Sequence, residues 1–297
     1  MTHYHASLRA GVAGLTLLFT ATAQATEGGG SSYPMGAENF LMGALPPPGV
    51  YPLLYANHYA ADEFRDGQGN RLPIDFRLRA NVVAPRLLWV TEQTLWGGQL
   101  AFAGLFPLVD LDVTVNGQHD SDRGLGDVDL TMALAYHHSA SLHSAFGIDV
   151  IAPTGSYDTG RLANIGRNYW TVQGVYAISH VDPGGINWDL KLMYDYNFEN
   201  SDTNYRSGQE LHADYALGYG VHPNWVAGIG GYAYRQVTDD RLNGVDIGNR
   251  GQAFAIGPSL KWDNGQGAFV TLKYEREFGV ENRPQGDSLW LKASLPF

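Results

Sequence analysis

The stretch "INWDLKLMYDYNF" (186–198) decides the fold. Ile186, Trp188, Leu190, Leu192, Tyr194, Tyr196 and Phe198 share one parity, and Asn187, Asp189, Lys191, Met193, Asp195 and Asn197 share the other. Successive side chains of a strand point to opposite faces, so this is a strand with one apolar and one polar face. A helix would scatter the two sets around its circumference. The pattern recurs along the chain. Ile74, Phe76, Leu78, Ala80 and Val82 alternate with Asp75, Arg77, Arg79 and Asn81. Similar segments run through Val128–Tyr136, Leu211–Tyr219, Phe254–Trp262 and Val270–Phe278.

Counted this way, the sequence predicts about twelve strands of about ten residues, an even number as bacterial outer-membrane barrels require. They fall near 50–62, 72–90, 98–113, 127–138, 142–152, 168–180, 186–198, 209–221, 225–237, 252–262, 268–279 and 288–297. Short connections (139–141, 182–185, 222–224, 264–267) alternate with long ones (63–71, 114–126, 153–167, 199–208, 238–251, 280–287), and the turn at 91–97 is intermediate. Short periplasmic turns and long external loops mark a transmembrane antiparallel β-barrel; a soluble sandwich has no reason to keep that order. Trp and Tyr gather towards the strand ends on the apolar parity (Trp170, Trp188, Trp225, Trp262, Tyr136, Tyr196), as interfacial girdles do. The fold class expected is all-β, one barrel in a bacterial outer membrane.

Composition agrees. Charged residues are 16% of the 297, against about 25% in soluble domains. After the first residues, no apolar run reaches the roughly 20 needed for a membrane helix. The net charge of −11 argues against a nucleic-acid partner, and the absence of cysteine excludes disulfides, thiolate nucleophiles and Cys-based zinc sites. Residues 1–25 read as an export signal: Arg9, the apolar core "AGVAGLTLLF" (10–19), then small-x-small sites ending at Ala23 or Ala25. An ordinary amphipathic N-terminal helix is the alternative. Residues 26–48 form a Gly/Pro-rich segment with one helical turn expected around Glu38–Met42. The barrel is expected over 49–297.

The chain also resembles a family of outer-membrane transporters named for the meta-cleavage pathway of phenol degradation. The likeness lies in "YPMGAENFLMGALPPPGVY" (33–51), "GLGDVDL" (124–130), "IAPTGSYDTGRLANIGRNYW" (151–170) and the terminal strand. It implies passage of small, often aromatic, compounds across the outer membrane. Phe297 resembles the terminal signal read by the barrel-assembly machinery.

In such a barrel the functional surface is the lumen. With both ends periplasmic, the polar parity places Arg77, Arg79, Asp127, Asp129, Asp149, Asp195, Glu210, His212, Asp214, Lys273 and Glu275 inside. The closing strand adds Trp290 and Lys292, with Leu289, Leu291, Ala293, Leu295 and Phe297 facing lipid. Lys273, Lys292, Arg77 and Arg79 are expected to form a basic wall opposite an acidic one, although Asp75 and Glu275 blur the segregation. The field between the walls would screen solutes by charge; a salt-bridged filling of a narrow barrel is the alternative. Loop 153–167 is a candidate lid or a plain exposed loop, and segment 26–48 a candidate plug.

Other chemistries are weakly signalled. His137, His138 and His143 flank a periplasmic turn without metal-ligand spacing. Asp120, Asp122 and Asp127 do not follow the EF-hand order. A lipase-like barrel lacks a Gly-x-Ser-x-Gly elbow, and His180 has no serine partner in sight. No Walker A loop supplies an energy source. The reading is passive uptake of small hydrophobic or aromatic compounds with no cofactor, no metal and no nucleic acid; an outer-membrane enzyme or an adhesive barrel is the alternative.

Overall fold

The structure, a computed structural model, describes residues 27–294. The export signal (1–25), Thr26 and the terminal Leu295, Pro296 and Phe297 lie outside the described residues. A short 3-10 turn (Glu27–Gly29) precedes eighteen strands. They are β1 (Gly49–Phe64), β2 (Phe76–Leu95), β3 (Gly98–Leu105), β4 (Leu108–Val115), β5 (Gln118–Leu125), β6 (Val128–His137), β7 (Leu142–Ala152), β8 (Thr171–His180) and β9 (Ile186–Asn197). There follow β10 (Glu199–Asn200), β11 (Tyr205–Arg206), β12 (Glu210–His222), β13 (Trp225–Gln236), β14 (Asp240–Leu242), β15 (Val245–Gly248), β16 (Gln252–Asp263), β17 (Phe269–Glu281) and β18 (Pro284–Ser294).

Twelve of these close a barrel. The order around it is β1-β18-β17-β16-β13-β12-β9-β8-β7-β6-β3-β2, and β1 pairs with both β18 and β2. Every neighbouring pair is antiparallel. Closure leaves no strand edge in hydrocarbon, where an unpaired peptide group costs several kcal/mol. The seam pairs Leu291 with Ala56 and Trp290 with Asn57.

The alternation read from β9 is the alternation observed. Leu192, Tyr194, Tyr196 and Phe198 are exposed on the outer face, while Asp195 is 0% exposed and Asp189, Lys191 and Met193 are buried in the lumen. A soluble protein would be inverted; here the apolar face meets lipid and the charged face makes the interior. Trp225 pairs directly with Trp262, and Trp188 stacks on His180 near the periplasmic turn. Trp170, Tyr196 and Phe198 stand at the opposite end of the wall.

Several boundaries differ from the sequence reading. The expected loop 114–126 is mostly strand: β4 and β5 form a hairpin arm turning at Asn116 and Gly117, and β4 pairs with the upper half of β2. The strand expected over 98–113 is interrupted at Phe106 and Pro107, since proline supplies no N–H to the ladder. The expected loop 280–287 is a two-residue turn, Asn282-Arg283, because Asn282 adopts φ 54° and β18 begins at Pro284. Intermediate turn 91–97 is only Trp96-Gly97, both at positive φ. The expected helical turn at Glu38–Met42 is absent; Leu41 sits at φ 67° and breaks any helical run.

Candidate functional site

The segment following Glu27 threads the lumen from its outer mouth to the periplasmic start of β1. At the mouth, the Glu27 carboxylate accepts hydrogen bonds from Tyr157 (2.9 Å) and Asn200 (2.8 Å), and its amide donates to Ser207 (3.1 Å). Ser31 accepts from Arg283 (2.9 Å), and the hydroxyls of Ser32 and Thr171 lie 2.8 Å apart. The chain then turns at Pro34–Ala37, closed by Ala37 N donating to Pro34 O (3.1 Å). Gly36 takes φ 77° at the third position of this turn, which only glycine adopts without strain; a Cβ there would stand 2.0 Å from Glu275. The sequence motif "YPMG" is thus a turn built to fit between charged walls.

Below the turn, opposite walls grip the backbone. Asp214 on β12 accepts from Tyr33 OH (2.7 Å), Gly36 N (3.0 Å) and Glu38 N (2.9 Å). Lys273 on β17 donates to the carbonyls of Gly36 (2.6 Å) and Glu38 (2.9 Å). The peptide groups therefore lie between an anion and a cation, each matched to the donor or acceptor it faces. The Glu38 side chain fixes the level: it accepts from Lys292 (2.6 Å), Tyr55 OH (3.0 Å) and Arg86 (3.3 Å). Burial pushes its carboxyl up, but Lys292, Lys191 and Arg86 outweigh that and hold it well below the usual carboxylate range. Lower down, Ser259 donates to Asn39 (2.7 Å), Met42 N to Asp189 (2.9 Å) and Gly43 N to Ser179 (2.7 Å). Apolar contacts complete the seal: Trp290 packs with Tyr33, Ala37 and Met193, and Phe40 with Ala177, Ala216 and Val226.

On the periplasmic side of this strap lies a cavity of about 590 Å³. Leu41, Met42, Leu45 and Pro46 of the segment and Leu88 and Val175 of the wall give it an apolar lining. Its charged end is made by Arg86, Lys191, Lys292, Glu38 and Asp149. The Lys191 ammonium stands 4.8 Å over the Tyr33 ring. One carboxylate oxygen each of Asp129 and Asp149 is buried with no hydrogen-bond partner among the described residues.

Of the residues expected in the lumen, Asp149, Asp195, Glu210, His212, Asp214, Lys273, Glu275, Trp290 and Lys292 are buried there. Asp129 shares their inward parity on β6. Asp195 accepts from Gln173 (2.8 Å) and lies 3.1 Å from His212 Nε2. Asp127 instead accepts from Gly155 N (2.9 Å) and Arg167 N (2.8 Å) and so pins both ends of loop 153–167. Arg77 and Arg79 are corrected outright. Tyr55 and Ala84 are opposite and both buried, and the β1–β2 register is unbroken from Val90 to Leu78, so even-numbered β2 residues face in. Arg77 and Arg79 therefore face out, and Arg79 donates to Asp62 (2.6 Å). The apolar parity of upper β2 packs instead against Ala61 and Phe64 through Phe76 and Leu78. The expected basic wall dissolves: its cation on β2 is Arg86, and Lys273 and Lys292 are engaged by Glu275, Glu38 and the strap.

Loop 153–167 is docked, not free. Asp120 on β5 accepts from Arg161 Nη2 (2.9 Å), Leu162 N (3.1 Å) and Ala163 N (3.1 Å). The loop thereby covers the open edge of β5, and Tyr157 carries it to Glu27. Of the three turn histidines, His137 and His143 meet at 2.8 Å while His138 bonds Ser144 (2.8 Å). Among the described residues no group of three or more metal-ligating side chains is assembled.

The profile of the family described as "Putative MetA-pathway of phenol degradation" matches residues 61–293. The chain belongs to that family. No protein with a curated description matches. Among solved structures, the COG4313 outer membrane channel from Pseudomonas putida F1 is similar at TM-score 0.76 and 22% identity, covering 86% of this chain and 97% of that one. The translocator domain of the autotransporter NalP from Neisseria meningitidis is similar at TM-score 0.50 and 11% identity, covering 86% and 90%. At these identities the likeness is one of fold. The fold is that of a bacterial outer-membrane barrel, and the lipid-facing apolar belt places this chain in that membrane.

Proposed function

We propose that this protein is an outer-membrane channel for passive entry of small hydrophobic or aromatic compounds, with residues 27–48 as a resident plug. One observation carries the reading: the lumen holds a vestibule of about 590 Å³, apolar along its sides and charged at its inner end, and the N-terminal strap closes it on the outer side. A flat apolar solute fits the side walls, and a polar substituent on it meets Arg86, Lys191 and the carboxylate of Asp149. Membership of a family described by phenol degradation and the likeness in fold to an outer membrane channel support this reading. Passage requires the strap to move, because Tyr33, Trp290 and Met193 fill the barrel above the vestibule. Solute gradient drives the flux, and no bond is made or broken. Inside the lumen, Arg86, Asp129, Asp149 and Lys191 select, while Asp214, Glu38, Lys273 and Lys292 hold the strap. Phe297 hands the chain to the barrel-assembly machinery during biogenesis.

The reading is tested by growing a deletion strain on single aromatic carbon sources across a concentration series. Loss of growth confined to low substrate is the expected result. Equal growth on every source at every concentration would refute uptake and favour an adhesive or enzymatic barrel.

A further inference from the structure

A second cavity, of about 290 Å³, lies at the outer rim and takes no part in the lumen. It sits on the small sheet β10-β11-β14-β15, which stands above β9 and β12. One face of this sheet is turned inward: Tyr205 donates to Asp240, which is fully buried. Side chains alternate, so Arg206 and Arg241 point the other way, outward. Arg206 lies 4.7 Å over the ring of Tyr196, a lipid-facing residue of the outer girdle.

The charge arrangement in this cavity is unusual. Arg206 and Arg241 are directly opposite across the β11–β14 ladder. Like charges in that position destabilise a sheet unless something lies between them. The full row reads Glu199, Arg206, Arg241, Asp246, so the cations occupy the centre and the carboxylates the ends. Arg250, the third guanidinium of the lining, pairs with Asp239 at 2.6 Å. Among the described residues each arginine side chain hydrogen-bonds through Nε alone: Arg206 to Asn197 O (3.0 Å), Arg241 to Asp246 (2.6 Å) and Arg250 to Asp239 (2.6 Å). The terminal amino groups of all three have no hydrogen-bond partner among the described residues. Three guanidinium groups lining one cavity, with terminal amino groups left for a ligand, match the oxygens of a phosphate.

We propose that this cavity binds a phosphate of the glycolipid that forms the outer leaflet. Its position selects that source over free phosphate: the floor is Tyr196, and Tyr194 and Phe198 continue the apolar belt on either side of it. The phosphate bridges Arg206 and Arg241 and relieves their opposition, while the acyl chains lie along the belt below. The inference is independent of what passes through the lumen.

The test is native mass spectrometry of the full detergent-solubilised chain, titrated with bisphosphorylated lipid A, with fully dephosphorylated lipid A, and with inorganic phosphate. Bisphosphorylated lipid A is expected to bind at least tenfold more tightly than either comparator. Arg206→Gln/Arg241→Gln is expected to lose tenfold or more. Arg206→Lys/Arg241→Lys, which keeps the charge but not the fork, is expected to lose about threefold to fivefold. Arg77→Gln/Arg79→Gln, outward arginines outside the cavity, are expected to change binding less than twofold. A heat-modifiable band on gels reports that each variant is folded. Unchanged binding in the Gln pair, equal loss in the Arg77/Arg79 pair, or equal affinity for inorganic phosphate would each overturn the proposal.

Discussion

Replacing Glu38 with glutamine should loosen the plug by an amount the geometry allows to be estimated. The carboxylate neutralises Lys292 at 2.6 Å and Arg86 at 3.3 Å, and the side chains of Glu38 and Lys292 are less than one-tenth exposed. Removing one partner of a buried ion pair costs about 3–5 kcal/mol, because the other charge is left uncompensated. Glutamine keeps an acceptor for Tyr55, so the lower end, about 3 kcal/mol, is the reasonable figure. At 1.4 kcal/mol per tenfold, the ratio of displaced to seated strap should rise about 100-fold. Single-channel recording in planar bilayers reads that ratio as the fraction of time in a high-conductance state. The double variant Glu38→Met/Lys292→Met removes both charges and should return most of the loss, since a buried pair exchanged for apolar side chains is often neutral. A change of less than threefold in Glu38→Gln, in a barrel shown to be folded, would refute the assignment of Glu38 as the anchor.

Because Lys292, Lys191 and Arg86 hold Glu38 well below the usual carboxylate range, its hold on the strap is complete above the ordinary carboxylate value and weakens only as pH falls through and below it. The Glu38-dependent part of the open probability, read as the difference between wild type and Glu38→Gln, should therefore be constant from pH 8 to 5 and shrink below about pH 4; a difference that already shrinks between pH 7 and 5 would contradict the sign. Leu291→Arg on the lipid face should destabilise folding into bilayers by about 2–4 kcal/mol if it lies near the midplane, measured by denaturant titration; no change would reverse the facing of β18. Arg77→Gln/Arg79→Gln should leave conductance and ion selectivity unaltered, and a shift in reversal potential would return those arginines to the lumen.

Much of this barrel was legible because lipid imposes a period-2 rule that local sequence obeys. β7, β9, β13 and β16 begin and end within about a residue of where alternation places them. The rule fails where lipid stops. Upper β2 extends beyond the membrane, and there Phe76 is buried and Leu78 half-buried in a cluster with Ala61 and Phe64 rather than exposed to acyl chains. Apolar parity in that region therefore points inward, which is why Arg77 and Arg79 read as lumenal and are not. One signal marks the reversal: Arg86, a lone charge in "VVAPRLLWV" (82–90), shares parity with Phe76 and Leu78 and cannot face hydrocarbon. The strap contacts were less accessible. In the candidate plug, Phe40, Leu41 and the prolines suit water poorly, and the sequence leads no further than that. That Glu38 meets Lys292 across 254 positions of sequence could not be read there, since alternation fixes which face a residue occupies and not what crosses the lumen to meet it.

Motion of the strap is the claim on which the account rests, and a single engineered bond addresses it. The chain has no cysteine, and the Ser32 and Thr171 hydroxyls are 2.8 Å apart, so Ser32→Cys/Thr171→Cys can form one disulfide between strap and wall. Flux of a small aromatic solute into proteoliposomes would be followed before and after reduction. With the strap as the moving closure, the oxidised protein should pass no solute and open to no high-conductance state, and reduction should restore wild-type flux. Equal flux in the oxidised and reduced forms would show that solutes cross without displacing residues 27–48, and would contradict the account.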